Sequence, residues 1–411
     1  MEDAQEQLAA LRRRIARVDR KYLRTRDAAP VKRAPRPARA AVEDLLAGEV
    51  VRTPHGVHFE TERVWERHRR HGSVGIADLN ELPHDLLDSL SEGVIANAPP
   101  GKWAFLDTET TGLGAGACAF LAGVGSIEAD GFRLRQFFLR DYGEEASLLW
   151  RLADHLSRFD VLITYNGRVF DQPLLEGRYG LARLANPLGR LPHLDLLFGA
   201  RRLWKLRLDS CRLVDLEHRI LGVEREGDLP GDLIPYCYFE FQRTREAFRL
   251  VPIFHHNALD ILSLACLTAI VPQVFRAPES AGLRHGADLI GLARWLRNTG
   301  REAEALALLR QAVEMGLPDP LLFSTQWDIA RHERRRGAFD AALEIWRDLA
   351  HTRNPLRARA LVELAKHHER REKNYAAALE ATLAAIDIGD TPELRRREQR
   401  LRARLVRMAV G

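Results

Sequence analysis

The sequence predicts an α/β domain followed by an all-α domain built from helical repeats. Two features indicate this fold class. Between Trp103 and about Ala277, short apolar segments alternate with segments of helical periodicity, which is typical of a mixed sheet flanked by helices. Between 283 and 411, nearly every segment has helical periodicity, and three segments resemble one another. With 411 residues, 46% of them hydrophobic, the chain is long enough for two or three domains.

Residues 1–47 are predicted to form a basic N-terminal arm. Between Arg12 and Arg39 there are twelve Lys and Arg residues and two acids. Apolar spacing predicts a helix in the first part of the arm, whereas three prolines predict an extended or disordered second part. The arm either binds phosphates or is a solvated charged tail, and the sequence favours neither.

Residues 48–97 are predicted to form an N-terminal extension. Its segment VVRTPHGVHFETERV alternates and turns at Pro54 and Gly56, which indicates a hairpin. ANAPPGK, at 96–102, is typical of a linker.

The α/β domain is predicted to span 98–277. The segments WAFLDTE, AFLAGVGSIEA and GFRLRQFFLR are strands of an antiparallel meander, and Asp130–Gly131 is the turn between the last two. EEASLLWRLADHLSRF is a helix, and DVLITYNG is a strand that ends in a glycine turn. VPIFHHNALDILSLACLTAIV is a strongly apolar helix.

The helical repeats are predicted to occupy 283–411. Ala-Leu pairs recur at spacings of 37 and 36 residues, at Ala305-Leu306, Ala342-Leu343 and Ala378-Leu379. Small residues at this spacing indicate helix hairpins that pack closely. The period slightly exceeds the roughly 34 residues of a tetratricopeptide repeat, so the pattern is tetratricopeptide-like. Such an array either binds a protein partner in its groove or only braces the rest of the chain.

Composition narrows the class of protein. The net charge of +5 is compatible with a polyanionic partner. No run of about 18 apolar residues is present and the N-terminus lacks the apolar core of a secretory signal, so we expect a cytoplasmic protein with no membrane span. The four cysteines have no paired spacing, which predicts buried thiols instead of a zinc site or disulfides.

The stretch FLDTETTGLGAG, 105–116, holds the first candidate site. Asp107 and Glu109 lie on the same face of a strand, where two carboxylates repel each other unless a cation lies between them. Mg²⁺ and Mn²⁺ prefer such oxygen ligands. Alone, an Asp-x-Glu at a strand end is more often a solvated turn. The glycines do not form a phosphate loop, because no Gly-Lys-Ser/Thr follows them.

Two further segments supply acids. In TYNGRVFDQPLL, Asn166 and Asp171 frame a strand-to-helix turn, where Asp171 either serves the site or only caps the helix. In FHHNALDILSLACL, Asp260 lies on an apolar helix, where an unpaired carboxylate is costly to bury. Three polar residues share its face at offsets of three and four: His256, Asn257 and Ser263.

The order Asp-x-Glu, Asn-x3-Phe-Asp, His-x3-Asp resembles the DEDD exonucleases of the ribonuclease H-like fold. The Asn-x3-Phe-Asp motif is similar to that of the proofreading exonucleases of B-family DNA polymerases. More specifically, three stretches resemble the YprB-like bacterial proteins: HLDLLFGARRLWKLRLDSCRL, DLPGDLIP and HNALDILSL. The resemblance covers roughly 50–277 well and the helical part loosely.

The resemblance implies phosphodiester hydrolysis with two Mg²⁺ or Mn²⁺ ions. The ligands would be Asp107, Glu109, Asp171 and Asp260. Polymerase relatives have a tyrosine four residues before the last Asp, where this chain has His256. Another subgroup has a histidine five residues before it, where this chain has His255. We favour His256 as the residue that orients or deprotonates the water, with His255 as the alternative.

The sequence gives weaker evidence for the residues that would contact nucleic acid than for the metal ligands. Asn166 and Thr110 either contact the substrate phosphate or only shape their turns. Asp195 is either a fifth acid or a helix cap. The basic run Arg201, Arg202, Lys205 and Arg207, which contains Trp204, is either a phosphate-binding and base-stacking surface or a basic helix face over a buried tryptophan.

The leading hypothesis is a metal-dependent 3′–5′ exonuclease acting on single-stranded DNA or RNA. The alternative is a nucleic-acid-binding or scaffolding protein with a weak or idle nuclease site that works through its helical repeats.

Overall fold

A computed structural model describes residues 41–112, 114 and 116–410. In this part the chain divides into two compact units. The first contains the described residues up to Arg201 together with Ser210–Ala277, and the second contains Arg202–Asp209 together with the residues from Pro278 onward. The predicted arm lies outside the described residues except at its end, where Val42–Leu45 forms helix α1.

The first unit is built on a mixed sheet. The described strands are, in chain order, β1 (Gly48–Thr53), β2 (Gly56–Glu66), β3 (Arg70–His71), β4 (Val74–Gly75), β5 (Trp103–Thr110), β6 (Ala119–Glu128), β7 (Gly131–Phe138), β8 (Val161–Thr164) and β9 (His193–Asp195). β3 and β4 form a separate hairpin, and the others form a sheet of order β1-β2-β7-β6-β5-β8-β9. β1 and β2 are joined as an antiparallel hairpin.

The strand pairing of the sheet changes from antiparallel to parallel at β5. This strand pairs antiparallel with β6 and parallel with β8, and β8 pairs parallel with β9. Parallel neighbours end at the same edge of a sheet, so the carboxyl ends of β5 and β8 meet there. In α/β sheets this edge is where ligands bind.

The helices between Ile76 and Arg276 accompany this sheet in the chain, and several of them contact it. In chain order they are α2 (Ile76–Asn80), α3 (Glu145–Leu156), α4 (Asp171–Ala182), α5 (Leu196–Trp204), α6 (Leu213–Leu216), α7 (Ile234–Thr244) and α8 (Val251–Arg276). A π-helical turn, Glu217–Leu221, directly follows α6. All four cysteines are buried.

The apolar helix predicted from the sequence is α8. By length and composition, Ala247–Arg276 is the one described helix that could cross a membrane, but 72% of its apolar window is buried inside the protein. Where α8 crosses β6, the strand has glycines at positions 123 and 125. A larger residue would not fit there, because a Cβ on Gly123 would lie 2.3 Å from Ile261 Cδ1 and one on Gly125 would lie 2.6 Å from Ile261 Cγ2. This helix is therefore a core element of the first unit.

The second unit is helical. Its main helices are α9 (Gly286–Asn298), α10 (Glu302–Glu314), α11 (Asp319–Arg335), α12 (Phe339–His351), α13 (Arg357–His367), α14 (Tyr375–Ile388) and α15 (Pro392–Val410). The alanines of the repeated Ala-Leu pairs lie on α10, α12 and α14 and have no exposed surface. The predicted fold class, a mixed sheet with flanking helices followed by a helical part, is confirmed.

The first unit differs from the predicted domain 98–277 in two ways: it also contains the described residues before 98, and it lacks one segment. Arg202–Asp209 belongs to the second unit. Leu203 and Trp204 are buried there, and Arg207 forms an ion pair of 2.8 Å with Asp288 of α9. Apolar periodicity does not reveal which unit buries a segment of this length.

Candidate active site

The central strand β5 carries the first two acids. Asp107 and Glu109 lie two residues apart, so their side chains share one face of the strand. Asn257 of α8 donates its Nδ2–H to Oδ2 of Asp107, with 2.8 Å between the heavy atoms. Only 9% of Glu109 is exposed. The end of β5 thus holds two neighbouring carboxylates that are largely shielded from water.

The third acid begins the helix that follows β8. Asp171 is the first residue of α4 and is buried. Oδ1 of Asp171 accepts hydrogen bonds from the backbone N–H and the hydroxyl of Thr108. Because Thr108 lies between the two acids of β5, these bonds hold Asp171 at the end of that strand.

The fourth acid lies on α8, one helical turn after a histidine. Nε2 of His256 is 3.7 Å from Oδ2 of Asp260. The other ring nitrogen, Nδ1, is 2.8 Å from Oδ2 of Asp228. His255, the alternative base, is exposed, whereas His256 is partly buried. The structure therefore places His256 between two carboxylates, one of which is Asp260.

The four acids form one electrostatic cluster. Burial raises the pKa of Asp107 well above its usual range, and the negative charges of the other three acids raise it further. Burial raises the pKa of Glu109 to about 8, against the opposing effect of the His256 charge. Burial likewise raises the pKa of Asp171 to about 6, against the hydrogen bonds from Thr108. The site holds more negative charge than its surroundings stabilise.

The chemistry of these side chains fits a hard divalent cation. Carboxylate oxygens are the preferred ligands of Mg²⁺ and Mn²⁺, and a cation would relieve the mutual repulsion. Within the described ranges, no three His, Cys, Asp or Glu side chains are already grouped as ligands of a single ion. The donors fit the ion by type and charge, although they are not drawn together around one position.

A charged network behind Asp260 was not predicted from the sequence. Arg225 donates hydrogen bonds to Asp260, Asp228 and Glu217. Glu217 is fully buried, on the π-helical turn after α6. Asp228 and Asp260 lie in stretches that resemble the YprB-like proteins, but nothing in the sequence spacing of Glu217 and Arg225 indicated that they would meet the acids of β5 and α8.

Two clefts border the acids. One, of about 490 Å³, is lined by Asp107, Asp171 and the predicted nucleic-acid ligands Asn166 and Thr110, among others. The other, of about 510 Å³, is lined by Asp260, His256, Asp228, Arg225 and Arg212, among others. The carboxylates are thus accessible to a ligand from more than one side.

The walls of the first cleft combine polar and apolar groups. Asn166 has a left-handed backbone (φ 67°), and its N–H donates to Asp195 Oδ1 at 2.8 Å. The hydroxyl of Thr110 donates to the carbonyl of Gly112, so this side chain shapes its turn. Phe170, the phenylalanine of the Asn-x3-Phe-Asp motif, was not among the predicted site residues, and its side chain is 46% exposed in this cleft.

Asp195 is placed as a cap. It is buried, and its carboxylate accepts from the backbone N–H groups of Asn166, Arg168 and Leu197. Its charge still reaches Asp171, whose pKa it helps to raise. These contacts favour the capping alternative, because both oxygens are already used.

The predicted basic run does not form one surface. Arg201 is exposed and its charge acts on Tyr165, which lines the first cleft. Arg202 lies over the ring of Trp295, and Lys205 donates to the carbonyl of Asp209, both within the second unit. Trp204 is 2% exposed, so it is a buried core residue of that unit and cannot stack on a base.

The sheet and the acidic cluster define the class of protein. Residues 104–271 match the RNase_H superfamily, whose nucleases usually use divalent metals. The matched range contains β5 from its second residue onward, the described strands β6 to β9, and all four acids. The superfamily suggests a nuclease with a nucleic-acid substrate.

A relative refines this class. The chain is 33% identical over 313 residues to the uncharacterized protein YprB of Bacillus subtilis (strain 168), which covers 74% of this chain and 73% of the relative. The chain belongs to the YprB family, and its residues 104–271 form a domain that matches the RNase_H superfamily.

Proposed function

We propose that this protein is a metal-dependent 3′–5′ exonuclease of the DEDD type that hydrolyses single-stranded DNA or RNA in the cytoplasm. One observation carries the proposal. At the edge where β5 and β8 end, the charges of Asp171 and Asp260, from two other segments, add to burial in raising the pKa values of Asp107 and Glu109. Such repulsion is costly unless a cation compensates it. The polarity of cleavage rests on the resemblance to the DEDD exonucleases.

The proposed metal ligands are Asp107, Glu109, Asp171 and Asp260. When bound, two Mg²⁺ or Mn²⁺ ions supply the positive charge that lowers the pKa of a water molecule and stabilises the leaving oxygen. The contacts from Thr108 and Asn257 fix the carboxylates of Asp171 and Asp107 before substrate arrives, which favours catalysis because alignment is achieved in advance.

His256 is proposed to orient the attacking water and accept its proton. Its partner Asp228 lies at Nδ1, which directs Nε2 towards the Asp260 side. Burial lowers the pKa of His256, but the negative charges of Asp228, Asp260 and Glu109 outweigh burial and raise this pKa to about 9. His256 can accept a proton only where the charge of these acids is offset.

The first cleft supports a single-stranded substrate. Asn166 and Thr110 are proposed to contact the phosphate near the acids, and the exposed ring of Phe170 offers a surface on which a base can stack. Arg201 is proposed to contact nucleic acid at this cleft, because its charge acts on Tyr165 there. Arg202 and Lys205 are proposed to contact nucleic acid outside the cleft.

The helical unit is proposed to be tetratricopeptide-like and to bind a protein partner. The fully buried Ala305, Ala342 and Ala378 support this proposal, since each lies on the helix that follows the turn of a hairpin. Buried small residues at a regular period are what closely packed helical repeats require.

A cleavage assay with matched variants tests the proposed activity. Purified protein is incubated with 5′-labelled single-stranded and duplex DNA and RNA in Mg²⁺ or Mn²⁺. We expect a ladder that shortens from the 3′ end, and a rate loss on the order of 100-fold or more in Asp107→Ala, because a group that holds charge in the transition state is removed. Asp160→Ala, which changes an exposed acid just before β8, is the control.

Two outcomes contradict this proposal. If Asp107→Ala cleaves as fast as wild type, the activity does not come from these acids. If no substrate is cleaved but labelled strands are bound, the alternative of a binding or scaffolding protein is favoured.

A further inference from the structure

Arg225 is an unusual residue to find beside a cluster of acids that fits a metal. Its side chain is 5% exposed. The guanidinium donates to Glu217 Oε2 at 2.5 Å, to Asp228 Oδ2 at 2.9 Å and to Oδ1 of Asp260. A buried guanidinium is tolerated when several carboxylates pair with it. One cation therefore binds Asp260 and two acids outside the proposed ligand set.

The partners of Asp260 differ from those of the other acids. One of its oxygens accepts from Arg225 and the other faces His256 Nε2 at 3.7 Å. In the described contacts, Asp107 accepts from the neutral amide of Asn257. Asp171 accepts from Thr108, which is also neutral. The protein's own positive charge is thus concentrated at one end of the acidic cluster.

Arg225 is anchored independently of Asp260. Glu217, which is fully buried, receives two of its N–H groups. Behind Glu217, Ser263 lies within hydrogen-bond distance of His71 Nε2, at 2.7 Å. His71 lies on the β3–β4 hairpin, so the N-terminal extension helps to build this side of the site. If Asp260 is released, Arg225 keeps Glu217 and Asp228 and stays in place.

We propose that Arg225 is a resident cation that competes with divalent metal for Asp260. The inference rests on the proposed metal site and adds that its two ends are unequal. An ion near Asp107 and Asp171 displaces no charged partner, whereas an ion that uses Asp260 must displace or share the guanidinium. Metal binding at the Asp260 end is therefore weaker in wild type than the carboxylates alone would make it.

Direct measurement of Mn²⁺ binding tests this competition without any nuclease assay. Isothermal titration calorimetry with MnCl₂ is carried out on full-length wild type, Arg225→Gln and Arg212→Gln. Arg212 lines the same cleft but pairs with Asp215 on the surface, which makes it a matched loss of charge. We expect Arg225→Gln to lower the Mn²⁺ dissociation constant about tenfold, since a charged hydrogen bond no longer competes, and Arg212→Gln to leave it unchanged.

A double variant protects the test from a folding defect. Removal of Arg225 leaves Glu217 buried without its guanidinium, which is destabilising. Glu217→Gln/Arg225→Gln removes both charges of this pair, and it should show the same tighter Mn²⁺ binding. Circular dichroism checks that each variant is folded.

The outcomes separate this inference from the proposed function. If wild type binds Mn²⁺ and the variants lacking Arg225 bind it equally or more weakly, Arg225 does not compete and the proposed metal site stands. If wild type and all variants fail to bind Mn²⁺, the proposed metal site is wrong, and the proposed competition by Arg225 is wrong as well.

Discussion

At the scale of the single residue, the buried side chain of His155 makes the stability of the first unit depend on pH. It lies on α3, is 5% exposed, and packs edge-on against Phe137 and Phe159. Burial, together with the charges of nearby arginines, lowers its pKa to about 3. Folded His155 stays neutral down to that pH, while the unfolded side chain takes up a proton below about 6.5. Acid therefore favours the unfolded state between these two values.

His155→Phe should remove this part of the acid sensitivity. The substitution keeps the aromatic packing and deletes the proton site. In wild type, we expect His155 alone to reduce the free energy of unfolding by about 2 kcal/mol between pH 7 and pH 5, given roughly 1.4 kcal/mol per pKa unit. Urea unfolding at the two pH values measures the difference. His68→Gln, which changes an exposed histidine, is the control, and an unchanged pH response in His155→Phe would contradict the argument.

Residues of the site differ in how far the sequence predicts them. Asp107 and Glu109 share a face because strands have a period of two, and His256 and Asp260 face each other because helices have a period near four. Such local rules need no tertiary information. Arg225 could not be found this way, because its three carboxylate partners lie at different separations along the chain and only the folded loops bring them together.

At the scale of the element, the contact between β6 and α8 aligns the acids. A Cβ on Gly123 would lie 2.3 Å from Oδ1 of Asn257, the residue that donates to Asp107. We expect Gly123→Ala to push this amide away from Asp107, to destabilise the first unit by about 1–3 kcal/mol through overpacking, and to slow cleavage.

A glycine elsewhere in the same unit provides the comparison. Gly180 lies on α4, is exposed, and has nothing within 4 Å of an added Cβ. Gly180→Ala should therefore stabilise the helix by about 1 kcal/mol, because alanine is the better helix former. Thermal unfolding and the cleavage assay on both variants decide the matter. Equal stability in the two variants would mean that β6 and α8 do not pack as tightly as described.

The same scale explains which elements the sequence predicted. The three meander strands and the long helices have one dominant periodicity, so they were found near their observed bounds. Short strands such as β9 (His193–Asp195) contain too few residues for a period to be visible. The parallel pairing of β5 with β8 depends on the crossover through α3, and local pattern does not specify a partner strand.

At the scale of the whole molecule, the path of the chain through the second unit matters. Arg202–Asp209 belongs to that unit although it lies in sequence between parts of the first. Leu203 is fully buried, and a Cβ on Gly291 of α9 would lie 2.5 Å from its carbonyl oxygen. Because this packing needs α9, a cut that follows the predicted domain end at Ala277 would leave Leu203 and Trp204 uncovered.

We therefore expect a protein that ends at Ala277 to be poorly soluble, and one that ends at Gly316 to be more soluble and less associated. The longer protein keeps α9 and α10, so Leu203, Trp204 and the partner of Arg207 remain covered. Exposed apolar side chains of this size promote association. The soluble fraction after expression and the elution volume on size exclusion measure the effect. Equal solubility of the two truncated proteins would show that Arg202–Asp209 does not depend on the second unit for its burial.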